Sequence, residues 1–140
     1  RRQTIIERLN RVGLRVEARE RCYGDERNML LARSHIALNV HSFENVQILE
    51  EARISFLLAN GCFVVSENSD HDPYDGGVIF APADRLTETC LHWLAQPAAV
   101  RAAIAARGTA ALKRQPFLPA LKEALEEAQP AVMEGWRNYG

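Results

Sequence analysis

Residues 36–81 read IALNVHSFENVQILEEARISFLLANGCFVVSENSDHDPYDGGVIFA, and their alternation of short β-rich runs with one long apolar segment decides the fold class. The runs IALNV, CFVVS and VIFA are nearly continuous in apolar residues, as expected of parallel strands covered by helices on both faces. Between the first two, residues 46–60 are too long for a strand and set Leu49, Ala52, Phe56 and Ala59 at helical spacing. Gly61 supplies the stop, because glycine takes the left-handed conformation that other residues resist. Strand, helix and strand in that order predict a right-handed parallel crossover.

Upstream, RRQTIIERLNRVG carries an apolar stripe at Ile5, Ile6 and Leu9 and stops at Gly13. LRVEARE (14–20) follows as a strand, CYGDE as a turn, and ERNMLLARS as a short helix feeding the next strand. Downstream of VIFA, Asp84 is the expected N-cap of a helix whose Leu86, Cys90, Trp93 and Leu94 share a face. Pro97 opens a second helix, expected to run to Arg107 and end at Gly108. The tail is helical apart from Pro116 and Pro119, with LKEALEEAQ as an amphipathic piece.

The order predicts an α/β fold, a three-layer Rossmann-like parallel sheet with strands near 14–20, 36–41, 62–67 and 78–81. A doubly wound sheet that opens on a helix implies that its first strand is missing. Residues 1–112 read as one donor-binding domain, and 113–140 as a helical tail packing on it or on a missing N-terminal domain.

A chain of 140 residues with 47% hydrophobic content buries one core. A formal net charge of −1 gives no broad affinity for nucleic acid or anionic lipid. Cys22, Cys62 and Cys90 are widely spaced, with no CxxC pair, so neither a disulfide framework nor a zinc site is expected and the compartment reads as reducing and cytoplasmic. The longest apolar run, 54–65, is too short to span a bilayer.

Three clusters carry chemistry. His41, Ser42, Phe43, Glu44 and Asn45 stand between a strand exit and the long helix, where unpaired N–H groups and the helix dipole suit a diphosphate and a carboxylate suits ribose hydroxyls. The same residues also read as an ordinary cap, Ser42 or Asn45 bonding the first turn and Glu44 compensating the dipole. Arg53, with Glu50 and Glu51, lies on or beside the apolar stripe and needs a partner, either a ligand or Glu50. The acidic loop from Glu67 through Asp70, His71, Asp72 and Asp75 does not match the spacing of a calcium loop, so no metal is expected; it reads as a substrate-facing loop or a turn closed by Gly76 and Gly77. His35 and His92 lie away from the strand exits and read as structural. No glycine-rich dinucleotide fingerprint, phosphate-binding loop, nucleophile elbow or HExxH pair is present.

The succession RR…IIERLNRVGLRVE…CYGDERNMLLARSHIALNVH, then LEEARISFLLANGCFVVSE, then YDGGVIFAPADRLTETCLHWLAQPAAVRAAIAARG resembles the C-terminal, nucleotide-sugar-binding domain of GT-B glycosyltransferases, in the group 1 and spore-protein-like branches. The resemblance covers residues 1–112. It implies a bacterial polysaccharide-biosynthesis transferase moving a hexosyl-type sugar from a nucleotide sugar to a glycan or protein acceptor, without a cofactor. It implies diphosphate and ribose contacts near Glu44, Asn45 and Glu51, with Arg53 standing eight positions before Gly61 as an arginine does in the nearest branch; together with the strand exits, the donor site is expected at His41, Ser42, Glu44, Asn45, Glu51, Arg53 and Glu67. The facing N-terminal domain would supply the acceptor site and any base, so the isolated chain is expected to be inactive and, with an uncovered sheet edge, to form homo-oligomers. The competing expectation is a Rossmann-like protein-interaction module that has lost its donor site.

Overall fold

The computed structural model describes residues 1–19, 21–41, 49–115 and 122–124. Its centre is a parallel three-stranded sheet of β1 (Ala37–Asn39), β2 (Val64–Glu67) and β3 (Val78–Ala81), in the order β1-β2-β3. Val64 pairs in register with Ala37 on one side and Val78 on the other. Around it lie α1 (Arg2–Arg11), α2 (Gly24–Ala32), α3 (Glu51–Ala59), α4 (Leu86–Ala95) and α5 (Ala98–Arg114).

All of β2 is buried, so successive side chains must serve opposite layers. Phe63 and Val65 meet Ile5 and Leu9 of α1, Leu86 and Cys90 of α4, and Ile104 and Ala105 of α5. Val64 meets Ile54, Leu57 and Leu58 of α3, with Tyr74, Val78 and Ala111. Val64 and Val65 are fully buried, and each contributes about 1.5–3 kcal/mol of hydrophobic stabilisation.

Both glycine stops form as expected. Gly13 (φ +86°) and Gly61 (φ +69°) are left-handed. Gly13 N–H bonds Asn10 O and Leu14 N–H bonds Leu9 O; Gly61 N–H bonds Leu58 O and Cys62 N–H bonds Leu57 O. These are paired backbone closures that satisfy the last free carbonyls of α1 and α3.

Four local expectations are corrected. Residues 14–19 join no ladder: Leu14 and Val16 rest partly buried on the α1 layer, while Arg15 pairs with Glu17 and Arg19 with Glu26 at the surface. The apolar half of that alternation is satisfied by packing alone, without strand pairing; Glu20 lies outside the described residues. In α3 the buried face is Ile54, Leu57 and Leu58, whereas Ala52 and Ala59 are exposed. The helix is apolar over most of its circumference, so its pattern allowed more than one phase, and the sheet takes the bulkier branched face. Asp84 does not cap α4; Arg85 holds that position without a side-chain cap bond and pairs instead with Glu88 at 2.9 Å.

The fourth correction explains a glycine. α5 does not end at Gly108 but continues to Arg114, with Gly108 buried in its interior. Its first half packs in one layer through Ile104 and Ala105, and its second half in the other through Ala111 and Leu112. Gly108 is the crossing point, set against Gly77 just before β3: a Cβ on Gly77 would lie 2.1 Å from Gly108 Cα, and one on Gly108 would lie 2.7 Å from Leu58 Cδ2. Thr109 Oγ1 donates to Leu58 O at 2.7 Å, tying the same crossing to the end of α3.

Gly77→Ala, which drives a methyl into backbone, is expected to destabilise the chain by about 1–3 kcal/mol. Gly108→Ala gains about 1 kcal/mol of helix propensity against its clash and should cost less. Urea denaturation midpoints at unchanged slope measure both; a Gly77→Ala protein as stable as the wild type would refute the close crossing.

Candidate functional site

The C-terminal ends of β1 and β2 gather buried polar side chains: Asn39, His41, Ser66 and Glu67. Two hydrogen-bonded chains organise them, one on each face of the sheet.

On the α3 face, Asn39 is fully buried and has both ends of its amide occupied. Its Nδ2 donates to Ser66 Oγ at 3.1 Å, and its Oδ1 accepts from Arg53 at 2.8 Å. Ser66 Oγ in turn donates to Glu67 O at 2.9 Å, and the same Arg53 nitrogen reaches Glu50 Oε2 at 2.5 Å. The strand ends are thus joined to the opening turn of α3, and the half-exposed Arg53 is held beside them.

On the α1 face, the guanidinium of Arg1 forks onto both carboxylate oxygens of Glu67 and donates to His41 O at 2.7 Å. Glu67 Oε2 also accepts from His41 N–H at 2.6 Å, and His41 Nε2 donates to Asn68 O at 3.0 Å, which fixes Nε2 as the protonated nitrogen. Burial pushes the Glu67 carboxyl up, but the bonds from Arg1 and from His41 N–H outweigh it and hold its pKa below the ordinary 4.5.

The structure brings His41, Glu67 and Arg53 to the same end of the sheet, with Glu51 exposed in the first turn of α3. Ser42, Glu44 and Asn45 lie outside the described residues. The helix opens at Glu51, behind the non-helical Leu49 and Glu50, and the N–H groups of Glu51, Arg53 and Ile54 are bonded to Leu49 O and Glu50 O. Arg1, Asn39 and Ser66 were missed in the sequence. Asn39 and Ser66 had a legible signal, a polar residue inside an otherwise buried run, which requires a partner.

The acidic loop is a built turn. Asp72 accepts from Tyr74 N–H at 2.9 Å and Gly76 N–H at 3.1 Å, Asp75 pairs with Arg114, and fully buried Tyr74 anchors the loop with its hydroxyl 3.3 Å from Ser55 Oγ. Among the described residues no group of three His, Cys, Asp or Glu side chains is placed to hold a metal ion. Burial raises the thiol pKa of Cys62, and that of Cys90 to about 11. No described helix is long and apolar enough to cross a membrane.

No family model matches the chain, and no solved structure matches it. It is 32% identical over 100 residues to an uncharacterized protein of Acanthamoeba polyphaga mimivirus. That alignment takes in 67% of this chain and 33% of the viral protein, so the chain spans about a third of its relative's length. The class that the coordinates define is mixed α/β, with a small parallel sheet between helices.

The Glu67 pairing generates a pH dependence. A carboxylate with a depressed folded-state pKa contributes stability above its unfolded value, and that contribution is lost as pH falls from about 4.5 through the lower folded value. Glu67→Gln should flatten the acid limb of the stability curve and, by removing the charge that Arg1 and His41 N–H bond to, cost about 2 kcal/mol at neutral pH. Thermal melts between pH 3 and 7 provide the check, and an acid limb identical in both proteins would remove Glu67 from this role.

Proposed function

We propose that this chain is the donor-binding domain of a GT-B-type glycosyltransferase, with a three-layer Rossmann-like sheet that continues beyond β1. One observation carries the reading: buried polar groups and two arginines converge at the C-terminal ends of parallel strands, the crevice where open α/β sheets bind their ligands. The sequence resemblance over residues 1–112 supplies the ligand class, a nucleotide sugar.

In this reading Arg53 keeps an exposed side from which to neutralise phosphate, and Glu51 in the opening turn of α3 accepts ribose hydroxyls. The dipole of α3 favours a diphosphate at that opening turn. Glu67 is a positioning residue, because both oxygens are spent on Arg1 and on His41 N–H and so fix the backbone that leads into residues 42–48. The glycosyl group passes to an acceptor hydroxyl as its bond to the diphosphate breaks. The hydroxyl proton goes to a base on the facing domain, and the developing charge on the nucleoside diphosphate is met by arginine and helix dipole without a metal.

The competing reading, an interaction module with no donor site, draws on one observation: Arg53 and Glu67 already have partners within the chain. Calorimetry with UDP, GDP and their sugars separates the two. The donor reading expects binding, weakened on the order of tenfold by Glu51→Ala or Arg53→Ala singly, the loss of one charge-assisted contact. Absence of binding, or wild-type affinity in both variants, would leave the module reading in its place.

A further inference from the structure

Arg27 stands in the first half of α2, and its guanidinium lies flat over Phe56 of α3, with Cζ 3.8 Å from the ring centroid. Nothing else in the described chain holds its head. Nε is buried with no hydrogen-bond partner, and among the described residues no ion pair engages the half-buried side chain. The arginines at the strand ends differ: Arg1 is matched by Glu67, and Arg53 by Glu50 and Asn39. Stacking on the ring returns about 0.5–2 kcal/mol but leaves the buried Nε–H without an acceptor. The arrangement is a useful one for binding, because the ring keeps the planar fork in place and two terminal nitrogens match two oxygens of a phosphate.

Its place in the fold points to the same crevice. α2 leads into β1 through residues 33–36, and Arg27 in its first half meets α3 at Phe56. The opening turn of α3 is fastened there by Arg53 on Asn39. Phe56 follows Arg53 by three residues, a neighbour on the helix surface about 4.5 Å along the axis. Arg27, seated on Phe56, and Arg53 therefore stand about one turn apart along α3. Glu26, the acid beside Arg27 in sequence, is engaged by Arg19.

We propose that Arg27 is a phosphate-binding residue of this crevice, which together with Arg53 holds the diphosphate of the bound nucleotide. The nucleotide rests on the glycosyl-donor reading; the phosphate does not. The test is calorimetry on the full chain with UDP, GDP and inorganic pyrophosphate, comparing wild type, Arg27→Ala, Arg27→Lys and Phe56→Leu, each first checked by thermal melting. The expected result is a loss of diphosphate and pyrophosphate affinity on the order of tenfold in Arg27→Ala. Arg27→Lys should recover part of it, and Phe56→Leu, which keeps the charge and removes its platform, should fall between. Wild-type affinity in a folded Arg27→Ala protein would overturn this inference while leaving the donor reading intact. Arg27-dependent pyrophosphate binding without nucleotide binding would sustain the phosphate site and remove the glycosyl-donor reading. A wild-type chain that binds none of the three would overturn both.

Discussion

β2 has no side that faces water. Each of its four residues is buried, its backbone is paired to β1 on one edge and β3 on the other, and its side chains alternate between two separate apolar layers. A strand in that position demands helices above and below, and the chain provides them on either side of it in sequence: α1 and α4 for the layer of Phe63 and Val65, α3 for the layer of Val64. The close crossing of α5 is a consequence. One helix serves both layers only by passing from one to the other, and the pair Gly77 and Gly108 lets its backbone approach closely enough to do so.

The same constraint separates structure from chemistry. Gly77 and the α5 crossing lie before β3 begins, whereas Asn39, His41, Ser66 and Glu67 lie where β1 and β2 end. Apolar residues finish the core at one end, and at the other the strands run out into polar groups whose hydrogen bonds must be met within the fold. Asn39 and Ser66 satisfy each other across the ladder, and Arg53 and Arg1 close the two sides. Arg27 is the exception, stacked on Phe56 and without an acid partner among the described residues.

What remained hidden in the sequence was hidden for particular reasons. The run 14–20 alternates as a strand should, yet alternation reports only that one side of an extended segment is apolar; whether a neighbouring strand is there to pair with it is a tertiary matter. In α3 nearly every position after Arg53 is apolar or small, so periodicity could not choose between the face of Ala52 and Phe56 and the face of Ile54, Leu57 and Leu58. Gly108 looks the same in sequence whether it ends a helix or admits a close neighbour, and only the presence of Gly77 against it distinguishes the two.

The sequence by itself determined the α/β class, the parallel strands within 36–41, 62–67 and 78–81, and the helix stops at Gly13 and Gly61, because these depend on local periodicity and on the φ preference of single residues. It also placed His41, Arg53 and Glu67 near the strand ends, since strand exits follow directly from strand positions. Only the tertiary structure decided that Arg1 and Glu67 meet from sixty-six residues apart, that Asn39 links Arg53 to Ser66, and that Arg27 lies on Phe56. Hydrogen bonds and stacking act over a few ångströms in space, and a linear pattern of residue types does not record which distant side chains the packing of helices on a sheet brings within that range.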